Sequence, residues 1–426
     1  MLKKLSALKG VLAAVAMILT VMLAAGRASA SDKIYLKDGR VLDGAVAREV
    51  NGYVWFTFKV GGLETEQMFK PEEISKIERD SKPAEPAAAA AKPDTKAPAA
   101  AKSGVPRIAV ITLGEGGDKD MVGIFMTAEA LKRALPLLEE EQVTDVIFRV
   151  NSGGGALLEI QKLSDIIHNE YKKKFRVVAW IESAISAAAM TSHCIEEIYM
   201  MPQGNYGACT GWYGALTAVK GRDLEEVLYM MEKISARGKH DPQIMRAMQI
   251  MEPLSCTIDE QTGEVHWYQN LDGQYVVNPK ERILTFNATD AVKYKFAKGI
   301  AATADEVAKL MGYNEYVLVG KATPGVSYPV SRAEELQRDF RERTFKDQQA
   351  TQTYFAEYQL SIQAAQSAAP ADRGKFVAKA RSALDKIRGM VKNNPAFRLF
   401  VFGMSEQQFK DWLERQEELL RELTRR

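Results

Sequence analysis

Between Ser81 and Gly104 the chain runs through alanine, proline and lysine with almost nothing to bury. Such a stretch cannot offset its own ordering entropy and reads as a flexible linker, residues 81–104. The segments on its two sides must therefore fold as separate units, each around its own core. With 426 residues, 46% of them hydrophobic and 26% charged, the chain has the composition for two or three globular domains.

Ahead of the linker stand two segments. The first carries lysines at its start, an apolar run from Gly10 to Gly26, and the small residues Ala28-Ser29-Ala30 before a polar stretch. This is the pattern of a secretory signal peptide, residues 1–30. An uncleaved membrane anchor is the alternative, because the apolar run approaches the ~18 residues of a spanning helix. Either way the protein is expected to be periplasmic or secreted, or held at the outer side of a membrane. The second segment, residues 31–80, alternates β-like runs with turns: Ile34-Tyr35-Leu36, the turn at Lys37 to Arg40, Val41 to Val50, Asn51-Gly52, and Tyr53 to Phe58. Asn-Gly between β-branched and aromatic runs signals a hairpin, and four or five such strands in 50 residues predict a small Sm-like or SH3-like β-barrel. Packing or oligomerisation is the expected role of such a module, since fold alone carries no function.

Charge narrows the functional classes. The 57 basic and 55 acidic residues leave a formal net charge of +2, so no bulk electrostatic attraction favours nucleic acid. Cys194, Cys209 and Cys256, like His168, His193, His240 and His266, show no ligand spacing, so no metal or other cofactor is expected. The cysteines read as small core residues.

Beyond the linker, strands and helices alternate, which predicts an α/β fold with a largely parallel sheet. Strands are expected at Arg107 to Leu113, Asp145 to Val150, Arg176 to Ile181 and Ile195 to Met200. Helices are expected at Ala128 to Glu141, Ala156 to Tyr171, after Ser186, and at Lys220 to Arg237. Cys256 to Phe286 reads as an inserted β-hairpin, and Thr289 to Gly299 and Asp305 to Met311 as short helices. From about Ser331 the chain is rich in Glu, Arg, Gln and Leu at helical spacing. The stripe Phe409, Trp412, Leu413, Leu419, Leu420 and Leu423 points to a core or partner-helix face, with coiled-coil pairing as the expectation.

Two pieces of this region carry chemistry together. Val150-Asn151-Ser152-Gly153-Gly154-Gly155 is a glycine-rich turn after a buried strand, able to aim backbone N–H groups at a developing oxyanion. Ser186, in Ala184-Ile185-Ser186-Ala187-Ala188-Ala189, is a serine at a small-residue helix start, able to sit beside that turn. Each piece also has an ordinary use: a helix start for the serine, and backbone shape for the glycines.

The ordered set resembles a known family. The Asn151-Ser152-Gly153-Gly154-Gly155 turn is similar to the Asn-Ser-Pro-Gly-Gly turn of Clp protease subunits and signal peptide peptidase A. Ile185-Ser186-Ala187-Ala188 resembles the nucleophile run of signal peptide peptidases and NfeD-type serine proteases. Met201-Pro202, Tyr206-Gly207-Ala208-Cys209 and Leu284 to Tyr294 resemble later stretches of the NfeD type in the same order. Gly153 where proline is usual, the bulky Ile185 and the neighbouring Glu182 depart from the pattern. The resemblance spans roughly Val105 to Tyr313 and implies a Clp/crotonase-like spiral ββα domain, residues 105–325, followed by a helical region, residues 326–426. It also implies Ser186 as the nucleophile, with an oxyanion hole from the N–H of Ala187 and of Gly154 or Gly155. No histidine stands where the Clp type carries one, so the base is expected to be a lysine kept neutral by burial. Lys233 fits the NfeD position best, with Lys220 and Lys239 as rivals, and Glu182 is a group that could pair with the lysine and keep it charged.

Two function classes result. One is an exported Ser/Lys endopeptidase acting on membrane-associated or unfolded peptides, as a homo-oligomer near a membrane and, given export, without an ATPase partner. The other is a catalytically inactive Clp-like scaffold.

Overall fold

The computed structural model describes residues 32–50, 53–60, 63–79, 104–213, 217–218 and 220–425. The expected signal peptide, and the expected linker apart from Gly104, lie outside the described residues. The chain divides into two compact units, Met1–Thr95 and Lys96–Arg426.

The first unit is one five-stranded antiparallel sheet: β1 (Asp32–Leu36), β2 (Val41–Val50), β3 (Tyr53–Val60), β4 (Leu63–Phe69) and β5 (Ile74–Glu78). Its order is β4-β3-β2-β1-β5, a meander whose last strand returns beside the first. Ile34, Leu36, Val54, Phe56 and Phe69 form its core, as period-2 alternation puts one face of each strand inward.

The second unit is built on a parallel sheet. β6 (Arg107–Leu113), β7 (Asp145–Ser152), β8 (Arg176–Ile185) and β9 (Glu197–Gly207) lie side by side in chain order. The crossover helices are α1 (Ala128–Glu140), then α2 (Leu157–Ile166) continued through a π-helical turn (Ile167–Tyr171) into α3 (Lys172–Lys174), and α4 (Ala187–Ser192). β8 and β9 run several residues past their predicted ends, across register shifts between Ile181 and Ser183. Two-residue strands β10 (Trp212–Tyr213) and β11 (Thr217–Ala218) precede α5 (Gly221–Arg237) and α6 (Pro242–Gln249), the latter an unpredicted helix.

The expected hairpin from Cys256 to Phe286 is instead a three-stranded sheet of β12 (Leu254–Ile258), β13 (Val265–Tyr268) and β14 (Tyr275–Asn278), with β12 central. A further strand, β15 (Thr285–Asn287), returns to the main sheet antiparallel to the end of β9. α7 (Ala288–Lys293), β16 (Gly299–Ile300), α8 (Ala304–Leu310) and β17 (Val317–Leu318) complete the sheet region.

Both faces of the sheet are covered, which is why its strands are continuous apolar runs. On one face Ile111, Phe148, Ile181 and Met200 pack with Leu131, Leu163 and Met190 of the crossover helices. On the other, Val110, Ile147, Trp180 and Tyr199 pack with Ala304, Val307 and Met311. All three cysteines are buried and unbridged.

The C-terminal helices belong to this same compact unit. They are α9 (Arg332–Ser367), α10 (Pro370–Asn393), α11 (Phe397–Phe400) and α12 (Glu406–Arg425). The apolar stripe of α12 is used inside the chain: Leu420 and Leu423 join Tyr358, Ile362, Val377 and Leu384, while Phe409 joins Ile387, Met390 and Phe397.

A buried ion pair ties α9 to the sheet. β17 pairs with β6 only at Arg107 and Ile108, so the Thr112 end of that edge needs other partners. Glu334 supplies them, taking the Thr112 N–H at 2.7 Å and its hydroxyl at 2.6 Å, and Arg341 donates to the Thr112 carbonyl at 3.0 Å. Both side chains are fully buried. Ser331-Arg332-Ala333-Glu334 has the spacing of a capping box, and Ser331 Oγ does cap Glu334 N–H at 3.1 Å. The Glu334 carboxylate, however, leaves its own helix for the strand. Arg341→Met should leave this buried carboxylate with only its two Thr112 bonds and the more distant Arg338, 3.9 Å away, and cost roughly 3 kcal/mol. A denaturant titration of the full chain measures this, and an unchanged midpoint would show the pair to be dispensable.

Candidate functional site

Ser186 sits between the end of β8 and the start of α4 with φ 55° and ψ −124°. A positive φ is rare for a residue with a side chain, and here it turns strand into helix within one residue. The turn is held from both sides: the Ser186 N–H donates to Gly207 O at 2.9 Å, and its carbonyl accepts from Met190 N–H at 3.0 Å and from Cys209 Sγ at 3.6 Å. Buried Ala184, Ala187 and Ala188 leave the room this geometry needs. The side chain itself is half-exposed.

The glycine turn lies against it, because β7 and β8 are neighbours and both end here. A Cβ on Gly154 (φ 110°) would stand 2.7 Å from Ser186 Cβ and 3.2 Å from the Ala187 nitrogen. Only glycine fits there. Gly155 pairs with Val122 in a short parallel bridge formed by Val122 N–H to Gly154 O and Ala156 N–H to Val122 O, both 2.9 Å. That pairing turns the Gly155 N–H to the opposite side of the segment. Ser186, Gly154 and Ala187 are thus brought together, while Gly155, next in the turn, lies against Val122.

Sequence reasoning missed how the turn is held. The Gly153 N–H donates to Asp120 Oδ2 at 2.8 Å, and the buried Ser152 hydroxyl donates to Asp120 O at 2.6 Å. The Gly154 N–H, an expected oxyanion donor, is given to Ser152 Oγ at 3.1 Å. Asp120 stands in a Gly-Gly-Asp-Lys-Asp run that offers no spacing signal.

The lysines differ from expectation. Lys233 lies on the exposed face of α5, its Nζ 4.4 Å from the Tyr229 ring centroid, while Leu228, Met231, Ile234 and Ser235 form the buried face. Arg237, one turn on, bonds Ser164 Oγ and pairs with Asp165 near the end of α2. Lys220 is exposed just before α5, and Lys239 is exposed and paired with Glu196 at 3.0 Å. The burial expected to keep the base neutral is absent at all three, since each side chain is exposed. Glu182, expected as a partner for the lysine, is paired with Arg149 of the neighbouring strand.

His193 and His240 lie beyond the far end of α4, their rings tilted to each other with centroids 4.5 Å apart, beside Phe296. Tyr206 gives its proton to Ala189 O at 2.7 Å, so its oxygen accepts from His193 Nδ1, 3.1 Å away. His193 Nε2 is then a buried lone pair without a partner. Burial pushes both imidazoles down, His193 far below its usual range and His240 to about 4, partly opposed by the bond from His240 Nε2 to Ile195 O. Neither is a base for Ser186. Among the described residues no three His, Cys, Asp or Glu side chains are grouped to hold a metal ion, and no helix is long and apolar enough to cross a membrane.

No family model matches the chain. It is 24% identical over 189 residues to the membrane protein NfeD1b of Bacillus subtilis (strain 168), a match covering 44% of this chain and 38% of that relative. The chain therefore spans well under half the length of the relative it matches. Among solved structures it is similar to two mutants of the 1510-N membrane-bound stomatin-specific protease, one of them in complex with a substrate peptide. A third is the 1510-N membrane protease specific for a stomatin homolog from Pyrococcus horikoshii. Identities are 14%, 14% and 13%, with TM-scores of 0.35, 0.34 and 0.31. The matches cover 53%, 48% and 48% of this chain and 92%, 78% and 79% of those. The 189-residue match is to an NfeD-type protein, the type that the motifs around Ser186 resemble.

The histidine pair yields a prediction for stability. Unfolding releases His240 from about 4 to an ordinary value near 6.5. The unfolded chain then binds more protons between those two pH values, so stability rises with pH there. Stability should be complete above pH ~6.5 and fall by about 3 kcal/mol for His240 alone as the pH drops toward 4. Thermal unfolding from pH 7.5 to 4.5 tests this: the loss should shrink in His240→Asn, and an equally steep loss in that variant would place the proton uptake elsewhere.

Proposed function

We propose that this chain, similar to NfeD-type Clp-like proteins, is an exported serine endopeptidase of the Ser/Lys type acting on membrane-associated or unfolded peptides. The observation that carries this reading is the Ser186 turn: a non-glycine residue at φ 55° between a parallel strand and a small-residue helix, with a glycine backbone against its Cβ. Strain of this kind costs about 1–3 kcal/mol and collects at active sites, where surrounding structure over-determines it.

The chemistry uses the groups that meet there. Ser186 Oγ attacks the carbonyl carbon of a peptide bond while a lysine takes its proton. The Ala187 N–H, with that of Gly154 or Gly155, meets the charge on the carbonyl oxygen. Collapse breaks the C–N bond and the proton passes to the leaving amine. Water then hydrolyses the acyl-enzyme and restores the serine. Lys233 is the proposed base, with Lys220 and Lys239 as rivals. A bound peptide or a second copy covering α5 would take the Lys233 amine out of water, which favours its neutral form.

The chain acts as a homo-oligomer near a membrane, in a periplasm or outside the cell, without nucleic acid, ATPase or cofactor. Tyr268, Leu271 and Val276, exposed on and beside the β12–β14 sheet, support a subunit seam there. The strand order of the first unit supports a small Sm-like or SH3-like barrel that recruits substrate or assembles subunits. The 105–325 protease region and the 326–426 helical region then work as one body. A second reading, a Clp-like scaffold without catalysis, is favoured by the engaged Gly154 N–H and the exposure of all three lysines.

Labelling of the full chain with a fluorophosphonate separates the two. The enzyme reading expects the label on Ser186, its loss in Ser186→Ala with unchanged thermal unfolding, and faster reaction toward mildly alkaline pH. Lys233→Ala should slow labelling and peptide hydrolysis by ~100-fold. The same loss in Lys220→Ala or Lys239→Ala instead would reassign the base. An unlabelled Ser186 across that pH range supports the scaffold.

A further inference from the structure

The segment from Glu115 to Met126 has two sides, and different parts of the chain hold each. One side is fastened to the glycine turn. Asp120 binds the Gly153 N–H and the Ser152 hydroxyl, Val122 bridges Gly154 and Ala156, and the Gly116 N–H donates to Asn151 O at 3.0 Å. The other side is fastened to the C-terminal helices. Lys119 Nζ pairs with Glu342 of α9 at 2.5 Å, and Glu115 pairs with Arg341 at 3.1 Å. Ile124 and Phe125 are buried among Ile387, Met390, Phe397 and Phe409, and Asn394 Nδ2 donates to Ile124 O at 2.8 Å. The C-terminal helices therefore reach the turn beside Ser186 through one short strut.

We infer that Asp120 is a positioning residue for the oxyanion turn, and that the C-terminal helices set the turn through it. Two successive residues of the turn depend on Asp120, one through its carboxylate and one through its carbonyl. The Ser152 oxygen then holds the Gly154 N–H, so a shift at Asp120 passes directly to the backbone lying against Ser186. No such role arises from packing alone, because Asp120 is half-exposed and contributes nothing to the apolar core. The helices contribute a fixed position: a loop of this length between strand and helix would otherwise sample many backbone arrangements, and a displacement of the turn of about 1 Å is enough to cost roughly 100-fold in an acylation rate.

This inference rests on Ser186 being the nucleophile, and the test keeps the two apart. In the full chain, Asp120→Ala should lower the maximal fluorophosphonate labelling rate of Ser186 by about 100-fold while leaving the concentration dependence and the thermal midpoint near the parent values. Asp120→Asn keeps an acceptor oxygen for the Gly153 N–H and should recover most of the rate. Asn394→Ala, which removes the hydrogen bond between the helical region and Ile124, should slow labelling in the same way. Hydrogen exchange over residues 150–157 is read in parallel and should quicken in Asp120→Ala and Asn394→Ala. Quickened exchange in a chain whose Ser186 never labels upholds the coupling and sinks the nucleophile. Parent-like labelling and exchange in Asp120→Ala overturn the inference, as does a failure of Asp120→Asn to recover the rate.

Discussion

The contact on which this architecture turns is the one between Gly154 and Ser186, where two neighbouring strand ends come so close that no side chain fits between them. Strands in a sheet lie about 4.8 Å apart, and side chains normally keep their exit turns separate. Here the chain removes the side chain on one exit and puts alanines around the other. Everything beside the contact then has to hold the backbone still. Ser186 leans on the Gly207 carbonyl, and Ala208 N–H, of the next residue, donates to Leu284 O at 3.0 Å. Leu284 in turn donates to Ala247 O at 2.9 Å, and Cys209 donates to Met248 O at 2.6 Å. The extension of β9, the added strand β15 and the unpredicted α6 are thus one backbone network that ends at the serine.

The C-terminal helices solve a different problem at the opposite edge of the sheet. An edge strand with open N–H and C=O groups invites another strand. Glu334 and Arg341 close this one with side chains, and α9 then covers it. Burying two charges costs free energy that their attraction alone seldom returns, so the useful result is placement rather than stability. Burial pushes the Glu334 carboxyl up, while Arg341 and the two Thr112 bonds pull it back toward the ionised form. Because α9 is fixed at its first turns, the rest of the helical region is carried to the strut at Glu115 to Met126.

How much of this is legible in the sequence depends on whether the cause is local. The strands at Arg107–Leu113 and Asp145–Ser152 and the helices α1 and α5 announce themselves by apolar runs or helical periodicity, which are local. The ends of β8 and β9 do not: Glu182, Ser183, Gln203 and Gly204 break the apolar run, and these strands continue only because β15 and the serine turn supply partners from elsewhere. α6 escapes notice because its eight residues begin at a proline and fall between two stronger patterns, although Asp241 before Pro242 is a good helix start and does cap Gln243 N–H at 2.9 Å. In the candidate site, Ser186, Gly154, Gly155 and Ala187 are legible because so dense a run of small residues has few uses apart from close backbone approach. Asp120 is not, for its role exists only once β7 and the preceding loop are side by side.

The base illustrates the same limit more sharply. A lysine takes a proton only when neutral, and neutrality is set by what surrounds the amine rather than by its place in a motif. The chain buries the His193 imidazole completely and most of His240, yet that burial leaves them useless to Ser186: His193 gives one nitrogen to Tyr206 and leaves the other without a partner, beyond the far end of α4. Lys233 has the converse condition, an exposed amine over an aromatic ring on the face of α5 that the core does not use. Burial without access gives no catalyst, and access without burial gives one only after something else removes the water. With Ser186 as nucleophile and Lys233 as its base, as proposed, activation is coupled to whatever comes to lie on α5, and the turn held by Asp120 must already be in place when it arrives.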